Sequence, residues 1–381
     1  MNIGFEAKRA FTNGTGLGHY SRTLINSLAE YFPNHEYFLF TPKQTGMYNA
    51  DGFDNVHIIT PMQFPSTMLT AAWRSSWVKK DLRKLGIDIY HGLSHEIPVG
   101  IQQTGIKSVV TIHDLIFERH PEQFNPIDVR IYHKKFKYAC EHSSRVIAIS
   151  QQTKDDIMQW YKIPENKISI CYQSCHPSFA VQVSEGEKQR IKAQYNLPDQ
   201  FFLSVGSVIE RKNLLTICKG LKEVKSKLNI PLVVVGDGST YKQQVKHYLS
   251  ENNLTNEVIF LSEKFSNDSF KSAKDFPAIY QLSTALIYPS TFEGFGIPVL
   301  EALWSKVPVI TSNVSCMPET GGDAAFYVDP SSTDEMANAM FQVATDEGLR
   351  QDMIAKGWQH AQYFTQQKCA TGVMEVYQQL I

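Results

Sequence analysis

The chain has 381 residues, and its 43% hydrophobic content is enough for two domains with their own cores, or three. Its 37 basic and 38 acidic side chains nearly cancel, so no overall charge attracts a nucleic acid. Six scattered cysteines without CxxC spacing favour reduced thiols in the cytosol. The first ten residues lack the apolar core of a secretory signal, and no apolar run approaches the roughly 20 residues that span a bilayer. We therefore expect a soluble cytoplasmic protein, at most peripheral at the inner face of the membrane.

Short β-rich runs alternate with amphipathic helical stretches along the whole chain, which is typical of parallel sheets covered by helices on both faces. A first series predicts strands at residues 1–7, 36–41, 56–60, 88–92, 107–114, 145–150 and 167–173. A second series, after the irregular stretch 174–187, predicts strands at 201–207, 231–238, 257–262, 284–290 and 308–312. We therefore predict an α/β chain of two doubly wound domains, 1–176 and 177–360, with the ligand site in a cleft between them.

A glycine loop, GTGLGHYSRTL, directly follows the first strand and opens a helix at about His19. Its Gly16 and Gly18 let backbone amides approach a phosphate. A GxGxG pattern here is also typical of dinucleotide-binding enzymes, so an NAD-dependent dehydrogenase is the main alternative function. Against it, the spacing is not GxGxxG, the loop is long (8–18), and the second strand ends without an acid for a ribose. A tight strand-to-helix connection without a ligand is the structural alternative.

Residues 68–85 form an amphipathic pattern with two tryptophans and a set of cations: Trp73, Trp77, Lys79, Lys80, Arg83 and Lys84. Such a helix either covers a sheet or rests on an anionic membrane that holds a lipid-linked glycan. Amphipathicity alone does not distinguish the two, so peripheral membrane contact stays open.

His113 and Asp114 stand at the end of the predicted strand 107–114. In open α/β sheets, residues that contact a ligand lie at the carboxyl ends of strands, and this position favours a functional role for both. The alternatives are a histidine satisfied within the core and an aspartate that caps a helix.

The segment 206–213, GSVIERKN, places Arg211 and Lys212 just before a predicted helix. Cations at a helix start conflict with the helix dipole, so a bound anion is the simplest compensation. In the next strand-to-helix connection, VVVGDG, Gly238 is a candidate for lining a nucleotide pocket. As a bare turn this second segment would be unremarkable.

The stretch 291–303, TFEGFGIPVLEAL, predicts an anion site at the start of a helix near Ile297, with Pro298 in its first turn. Free N–H groups and the positive end of the helix dipole meet at four residues: Gly294, Phe295, Gly296 and Ile297. Glu293 and Glu301 bracket them and would repel a phosphate, so they suit hydroxyl groups better, as in a sugar nucleotide. A surface loop with one solvated and one helix-stabilising acid is the alternative.

The spacing of Glu293 and Glu301, with GFG after the first acid and PVLEA around the second, resembles the nucleotide-sugar motif of the retaining family-four glycosyltransferases. The resemblance implies the GT-B fold, in which two doubly wound Rossmann-like domains face a central cleft. It also implies that a C-terminal helix, about 361–381, packs back on the first domain. By the same resemblance, Glu293 contacts the transferred sugar and Glu301 contacts the ribose.

Further roles follow from this resemblance alone. His113 lies close to the donor sugar with Asp114 in support, and Arg211 and Lys212 neutralise the leaving diphosphate. The glycine loop approaches the donor phosphate. Segment 91–98, HGLSHEIP, resembles mannosyltransferases and favours a GDP-mannose donor, with a UDP-hexose as the alternative.

The resemblance implies transfer of a hexose, with retention of configuration, to a glycan or lipid-linked glycan in cell-surface polysaccharide synthesis. No Asp-x-Asp triplet occurs, and Asp155 and Asp156 fall in a predicted surface helix, so we expect no metal requirement. A non-catalytic sugar-nucleotide-binding protein on the same fold is a third class, and a sugar-nucleotide epimerase is a related one.

Overall fold

A computed structural model of the protein describes residues 1–62, 66–266, 270 and 272–381. These residues form two compact units, Met1–Cys175 together with Phe364–Ile381, and His176–Tyr363. Each unit is a parallel sheet with helices against it, so the predicted α/β class is confirmed. The cleft between the units stays a prediction.

The first unit contains, among the described residues, a seven-stranded sheet in the order β3-β2-β1-β4-β5-β6-β7. All seven predicted strands are present, each shorter than predicted: β1 Asn2–Glu6, β2 Glu36–Phe40, β3 Val56–Ile59, β4 Ile89–Gly92, β5 Lys107–Ile112, β6 Arg145–Ala148 and β7 Ile168–Ile170. The helices are Lys8–Thr12, Gly16–Tyr31, Thr70–Ala72, Lys79–Lys84, Ile116–Arg119, Pro126–His142, Gln151–Tyr161 and Gln366–Gln378, with a π-helical turn at Trp73–Trp77 and 3-10 turns at Ile101–Gln103, Pro121–Gln123 and Glu165–Lys167.

The second unit contains, in its described part, a six-stranded sheet in the order β10-β9-β8-β11-β12-β13. Its strands are β8 Phe202–Val205, β9 Leu232–Val235, β10 Val258–Phe260, β11 Ala285–Tyr288, β12 Val309–Ser312 and β13 Phe326–Val328. Its helices are Glu185–Tyr195, Leu214–Val224, Thr240–Glu251, Leu261–Lys264, Phe276–Leu282, Ile297–Trp304, Met317–Gly321, Thr333–Thr345 and Glu347–Ala361, with 3-10 turns at Pro177–Ala180, Glu210–Lys212, Gly322–Ala324 and, where this unit ends, Gln362–Phe364. The sequence analysis did not predict β13.

The segment after β1 differs from the predicted long loop. A helix spans Lys8–Thr12, and the next helix begins at Gly16, three residues before the predicted start at His19. The reason is local: the Asn13 side chain accepts hydrogen bonds from the amides of Thr15 (2.9 Å) and Gly18 (3.1 Å), which folds the connection into a tight turn.

The amphipathic segment 68–85 is broken into a short helix, a π-helical turn and a second helix. Trp73 is 1% exposed within the core of the first unit, and its indole N–H donates to Asp81 at 2.6 Å. Trp77 packs against the same core. The aromatic face therefore covers the sheet, while Lys80 and Arg83 remain exposed.

The C-terminal helix Gln366–Gln378 belongs to the first unit, where it packs against the helix Gly16–Tyr31. Buried side chains from both helices join one hydrophobic cluster with β1 and β2. The terminal helix also carries Tyr377, whose hydroxyl lies 2.5 Å from Nδ1 of His91 on β4. The helix is thus tied to the sheet by packing and by a buried hydrogen bond.

The prediction that Asp155 and Asp156 lie together on a surface helix is wrong for the second residue. Asp156 is fully buried, and its Oδ1 accepts from Nε of Arg119 at 2.9 Å.

Among the residues that the structure describes, no three histidine, cysteine or carboxylate side chains could together hold a metal ion. In the same residues, no helix is both long and apolar enough to cross a membrane.

Candidate active site

Arg211, Lys212 and Glu293 come together in the second unit, in the loops that follow β8 and β11. Oε1 of Glu293 lies 2.6 Å from Nη1 of Arg211 and 2.5 Å from Nζ of Lys212. The three side chains are 10 to 18% exposed. Two cations therefore share one carboxylate oxygen, which leaves this triad with an excess positive charge for an anionic ligand.

The ionisation of Glu293 follows from two opposed effects. Burial raises the pKa of Glu293, but Lys212 and Arg211 outweigh it and bring the pKa below its ordinary value. Burial lowers the pKa of Lys212, and Glu293 offsets only part of this change. Glu293 is therefore a carboxylate at neutral pH, held between two cations rather than solvated at a loop surface.

The loop that carries the cations is braced on both sides. The amide of Thr291 donates to the Arg211 carbonyl at 2.9 Å, and the Asn213 side chain donates to the Pro330 carbonyl at 2.7 Å. Arg211 and Lys212 lie in a 3-10 turn, and the helix itself begins only at Leu214. The anion nearest to both cations in this structure is Glu293, a contact that the sequence did not predict.

The predicted anion loop leads into the helix Ile297–Trp304, with Pro298 in the first turn as predicted. Gly296 has a φ of 96°, a left-handed conformation that favours glycine, and a Cβ there would lie 2.6 Å from the methyl of Met317. Gly294 and Phe295 precede it, and the Phe295 side chain is 2% exposed in the core. The Phe295 side chain therefore belongs to the core, and a ligand contact by the backbone groups at the helix start stays a prediction.

Glu301 lies about one turn into the same helix. Its Oε2 accepts a hydrogen bond of 2.7 Å from the hydroxyl of Tyr280. Burial raises the pKa of Glu301 to about 7, although the Tyr280 bond acts in the opposite direction. The carboxyl group is therefore close to half ionised at neutral pH, so its capacity to accept from a ligand hydroxyl depends on pH.

His113 and Asp114 lie in the first unit, just after β5. The His113 ring is buried, donates from Nε2 to the Leu93 carbonyl at 2.9 Å, and stands edge-on to Tyr20 at 4.5 Å. Burial lowers the pKa of His113 to about 4, so the ring is neutral at physiological pH. Asp114 Oδ1 accepts from the Ile116 amide at 3.2 Å, a local turn contact of the kind that the capping alternative predicts.

The three candidate glycines outside the anion loop, Gly16, Gly18 and Gly238, differ in the space that surrounds their Cα atoms. The Gly18 amide is engaged by Asn13 and Thr15, and a Cβ at Gly18 would lie 1.8 Å from the Asn13 carbonyl oxygen. A Cβ at Gly238 would lie 2.1 Å from the Val208 carbonyl oxygen. Both glycines are thus needed for close backbone packing, whereas Gly16 has open space at its Cβ position.

Two tyrosines that contact the candidate site residues were not predicted from the sequence. Tyr288 ends β11 and donates to Glu293 at 3.1 Å while it accepts from Lys212, so it joins the charged triad. Tyr280 holds Glu301. Tyr288 could have been found from the sequence, because it lies near the carboxyl end of a strand, as His113 does. Tyr280 could not, because it lies on a helix at a position typical of a core residue.

The fold and this site define a class, the GT-B glycosyltransferases. The solved structure of Anabaena Alr3699/HepE in complex with UDP-glucose matches with a TM-score of 0.75 and 16% identity over 100% of both chains, which shows the fold. The model of the Glycosyltransferase Family 4 domain matches residues 14–177, and that of Glycosyl transferases group 1 matches residues 185–360. The chain therefore belongs to the family-four glycosyltransferases, as the resemblance based on the spacing of Glu293 and Glu301 predicted.

Its relatives include two named mannosyltransferases. O-antigen chain mannosyltransferase B of Escherichia coli is 24% identical over 96% of each chain. O-antigen chain mannosyltransferase RfbU of Salmonella typhimurium is 30% identical over 65% of this chain and 62% of that protein. The protein is thus a glycosyltransferase, and the dehydrogenase alternative for the glycine loop has no support.

Proposed function

We propose that the protein is a retaining hexosyltransferase that moves mannose from GDP-mannose to a glycan or lipid-linked glycan in cell-surface polysaccharide synthesis. The observation that carries the proposal is the triad of Arg211, Lys212 and Glu293, in which two cations share one carboxylate oxygen. The two relatives, both O-antigen chain mannosyltransferases, support mannose as the transferred sugar and polysaccharide synthesis as the process.

In the proposed reaction, the bond between C1 of the hexose and the diphosphate oxygen breaks, and the acceptor oxygen forms a bond to C1. The acceptor proton passes to the departing diphosphate. Arg211, Lys212 and the start of the helix Ile297–Trp304 stabilise the charge that develops on this leaving group. When the diphosphate takes over the cations, the Glu293 carboxylate becomes available to accept from a sugar hydroxyl. Attack on the leaving-group side retains the anomeric configuration.

The remaining candidates complete the donor site in this proposal. Glu301 accepts from the ribose. His113 is neutral and already donates from Nε2, so its Nδ1 is the acceptor for a sugar hydroxyl. Asp114 supports the turn that holds His113, and Gly16 and Gly238 let backbone approach the nucleotide.

A UDP-hexose donor is the second candidate. It is supported by the Anabaena protein of the same fold, whose solved complex contains UDP-glucose. Cytoplasmic action is supported by the six cysteines, which are all buried and form no disulfide in the structure. Peripheral membrane contact is supported by exposed apolar side chains in the same segment as exposed cations, since Met68 is 77% and Leu69 52% exposed.

The donor is tested by thermal shift with GDP, UDP, ADP and NAD, since a ligand at a hundred times its Kd adds roughly 2.7 kcal/mol of stability. Release of nucleotide from GDP-mannose, UDP-glucose and UDP-galactose is then measured with and without octyl α-D-mannoside, and the anomer of the product is assigned by NMR. We expect the largest shift with GDP and an α-linked product. Stabilisation by UDP alone would favour the second donor, and stabilisation by NAD alone would contradict the proposal.

A further inference from the structure

A buried carboxylate with one oxygen that receives no hydrogen bond from the described residues lies at the carboxyl edge of the first sheet. Glu6 is the last residue of β1 and is 5% exposed. In the described part of the chain, no group donates a hydrogen bond to its Oε1. The nearest cation is Arg74, whose Nε lies 3.6 Å from Oε1, beyond hydrogen-bonding range. Buried polar atoms in folded proteins are nearly always bonded, so an unpaired carboxylate oxygen requires an explanation.

Two further buried hydroxyl groups, one on the neighbouring strand β4 and one just after it, also lack a hydrogen-bond partner among the described residues. These are Tyr90 OH and Ser94 Oγ. Tyr90 pairs with Gly4 in the β1–β4 register, so the alternation along β1 places Glu6 and Tyr90 on the same face of the sheet. Ser94 comes two residues after the end of β4. The polar atoms thus collect at the ends of two adjacent central strands, where open parallel sheets bind ligands.

Arg74 connects this group to the surface. It lies in the π-helical turn Trp73–Trp77, a local form that is frequent at functional sites. Its Nη2 donates to Glu96 at 2.9 Å, and Lys135 lies 3.2 Å from the other oxygen of Glu96. The Arg74 side chain is 19% exposed and that of Glu96 is 31% exposed. The buried carboxylate of Glu6 is therefore continuous with a partly exposed set of polar side chains.

As a carboxylate, Glu6 lacks a hydrogen donor at Oε1. A sugar hydroxyl donates and accepts, so it can bond Glu6 Oε1 together with the Ser94 or Tyr90 hydroxyl. A phosphate group at neutral pH offers mainly acceptors, so it supplies the donor that Oε1 lacks less well than a hydroxyl group does. The chemistry of this edge therefore fits a neutral sugar better than a lipid phosphate.

We propose that Glu6, Arg74, Ser94 and Glu96 bind the terminal sugar of the acceptor, and that this sugar is a neutral glycoside. The inference rests on the proposed function, because it names the acceptor for the same reaction. In this proposal, Glu6 accepts a hydrogen bond from a hydroxyl group of the acceptor sugar and so anchors it. Arg74 and Glu96 make the contacts that orient the sugar. A polyprenyl phosphate is then not the direct acceptor.

The test compares transfer to octyl α-D-mannoside, octyl β-D-galactoside and dolichyl phosphate, with the donor that the wild-type protein hydrolyses. We expect transfer to a neutral glycoside and none to the phosphate. Glu6→Gln, which removes a charged acceptor, should raise the acceptor KM roughly tenfold while the donor KM changes less than twofold. Ser94→Ala should raise the acceptor KM severalfold and, since it removes one uncharged hydroxyl, keep the protein folded.

Asp156→Asn is the matched control, because Asp156 is also a buried, arginine-paired carboxylate of the first unit. It should leave the acceptor KM unchanged even if it lowers the melting temperature. Transfer to dolichyl phosphate alone would overturn the inference, and so would unchanged acceptor KM values in both variants, which would indicate a buried water only. A wild-type protein that neither binds nor hydrolyses a sugar nucleotide would instead contradict the proposed function.

Discussion

Glu293 shows how burial and charge compete at one residue. Burial alone would favour the neutral acid, but two cations within 2.6 Å keep it ionised. A bound diphosphate competes with Glu293 for the same cations, so donor binding and the availability of the carboxylate are coupled. Before the donor arrives, the Glu293 carboxylate offsets one of the two positive charges, which limits the cost of holding two buried cations.

Lys212→Ala should lower turnover about a hundredfold, because it removes a cation that stabilises the leaving diphosphate. The measurement is initial rate at saturating donor. Lys188→Ala is the control, since Lys188 is a similarly buried lysine of the second unit whose partner is Glu185 at 2.9 Å. Equal turnover in the Lys212 variant and the wild type would remove Lys212 from the chemical step.

Nucleotide affinity should rise with pH through the titration of Glu301. Its pKa is about 7 in the folded protein against an ordinary 4.5. The protonated form therefore favours folding, a contribution that is complete below pH 4.5 and lost as the pH rises through 7. A ribose hydroxyl needs the ionised form, so GDP binding should weaken roughly tenfold between pH 8 and pH 6.

Calorimetric titration of GDP at several pH values measures this dependence. Glu301→Gln serves as the control, because it keeps the Tyr280 contact and cannot ionise, so the part of the pH dependence due to Glu301 should disappear. Glu301→Ala should weaken binding at every pH. Identical pH profiles for the wild type and Glu301→Gln would show that Glu301 does not contact the nucleotide.

At the scale of elements, short connections at the carboxyl ends of strands carry the site. The 3-10 turn Glu210–Lys212 follows β8, the loop with Glu293 follows β11, and β8 and β11 are adjacent in the sheet. Most strands could be predicted because buried parallel strands read as short apolar runs. The strand β13 and the helix Lys8–Thr12 were not predicted, and the glycine pattern indicated a loop where this helix lies.

Tyr377→Phe should destabilise the first unit by about 1–3 kcal/mol, because it leaves Nδ1 of the buried His91 without its partner. Urea unfolding followed by circular dichroism measures the change. Tyr31→Phe, at a residue that is 37% exposed, should have little effect. Equal stability of the two variants would show that the hydrogen bond between Tyr377 and His91 contributes nothing to the fold.

At the scale of the whole molecule, the chain returns to its first unit after completing the second. The terminal helix contributes Val373, Met374 and Tyr377 to the core that also contains Phe5 and Leu28. Sequence separation is therefore a poor guide to proximity in this protein. Both the function and the membrane contact have to be tested on the full chain.

Transfer activity should be unaffected by EDTA, because Arg211, Lys212 and a helix start supply the positive charge that a divalent cation supplies in other transferases. Activity is measured before and after chelation and desalting. Loss of activity that is restored by added Mg²⁺ or Mn²⁺ would contradict the expected metal independence.

Binding to anionic vesicles should depend on exposed cations near residues 68–85. Co-sedimentation with phosphatidylglycerol vesicles should exceed that with phosphatidylcholine and weaken with salt. The double variant Arg83→Glu/Lys84→Glu should bind less, whereas Lys222→Glu/Lys227→Glu in the second unit should bind like the wild type. Equal binding of both double variants would assign the membrane contact elsewhere.

The amino-acid sequence by itself determined the α/β class, the two series of strands and the family, because these depend on local periodicity and on the spacing between Glu293 and Glu301. It also placed His113 at the end of a strand and the two cations just before a helix. Only the tertiary structure decided that Arg211 and Lys212 meet Glu293, about 80 residues away, and that Tyr377 bonds His91 across 286 residues. Such contacts follow from the order of strands in a sheet and from packing between helices, which no local pattern encodes.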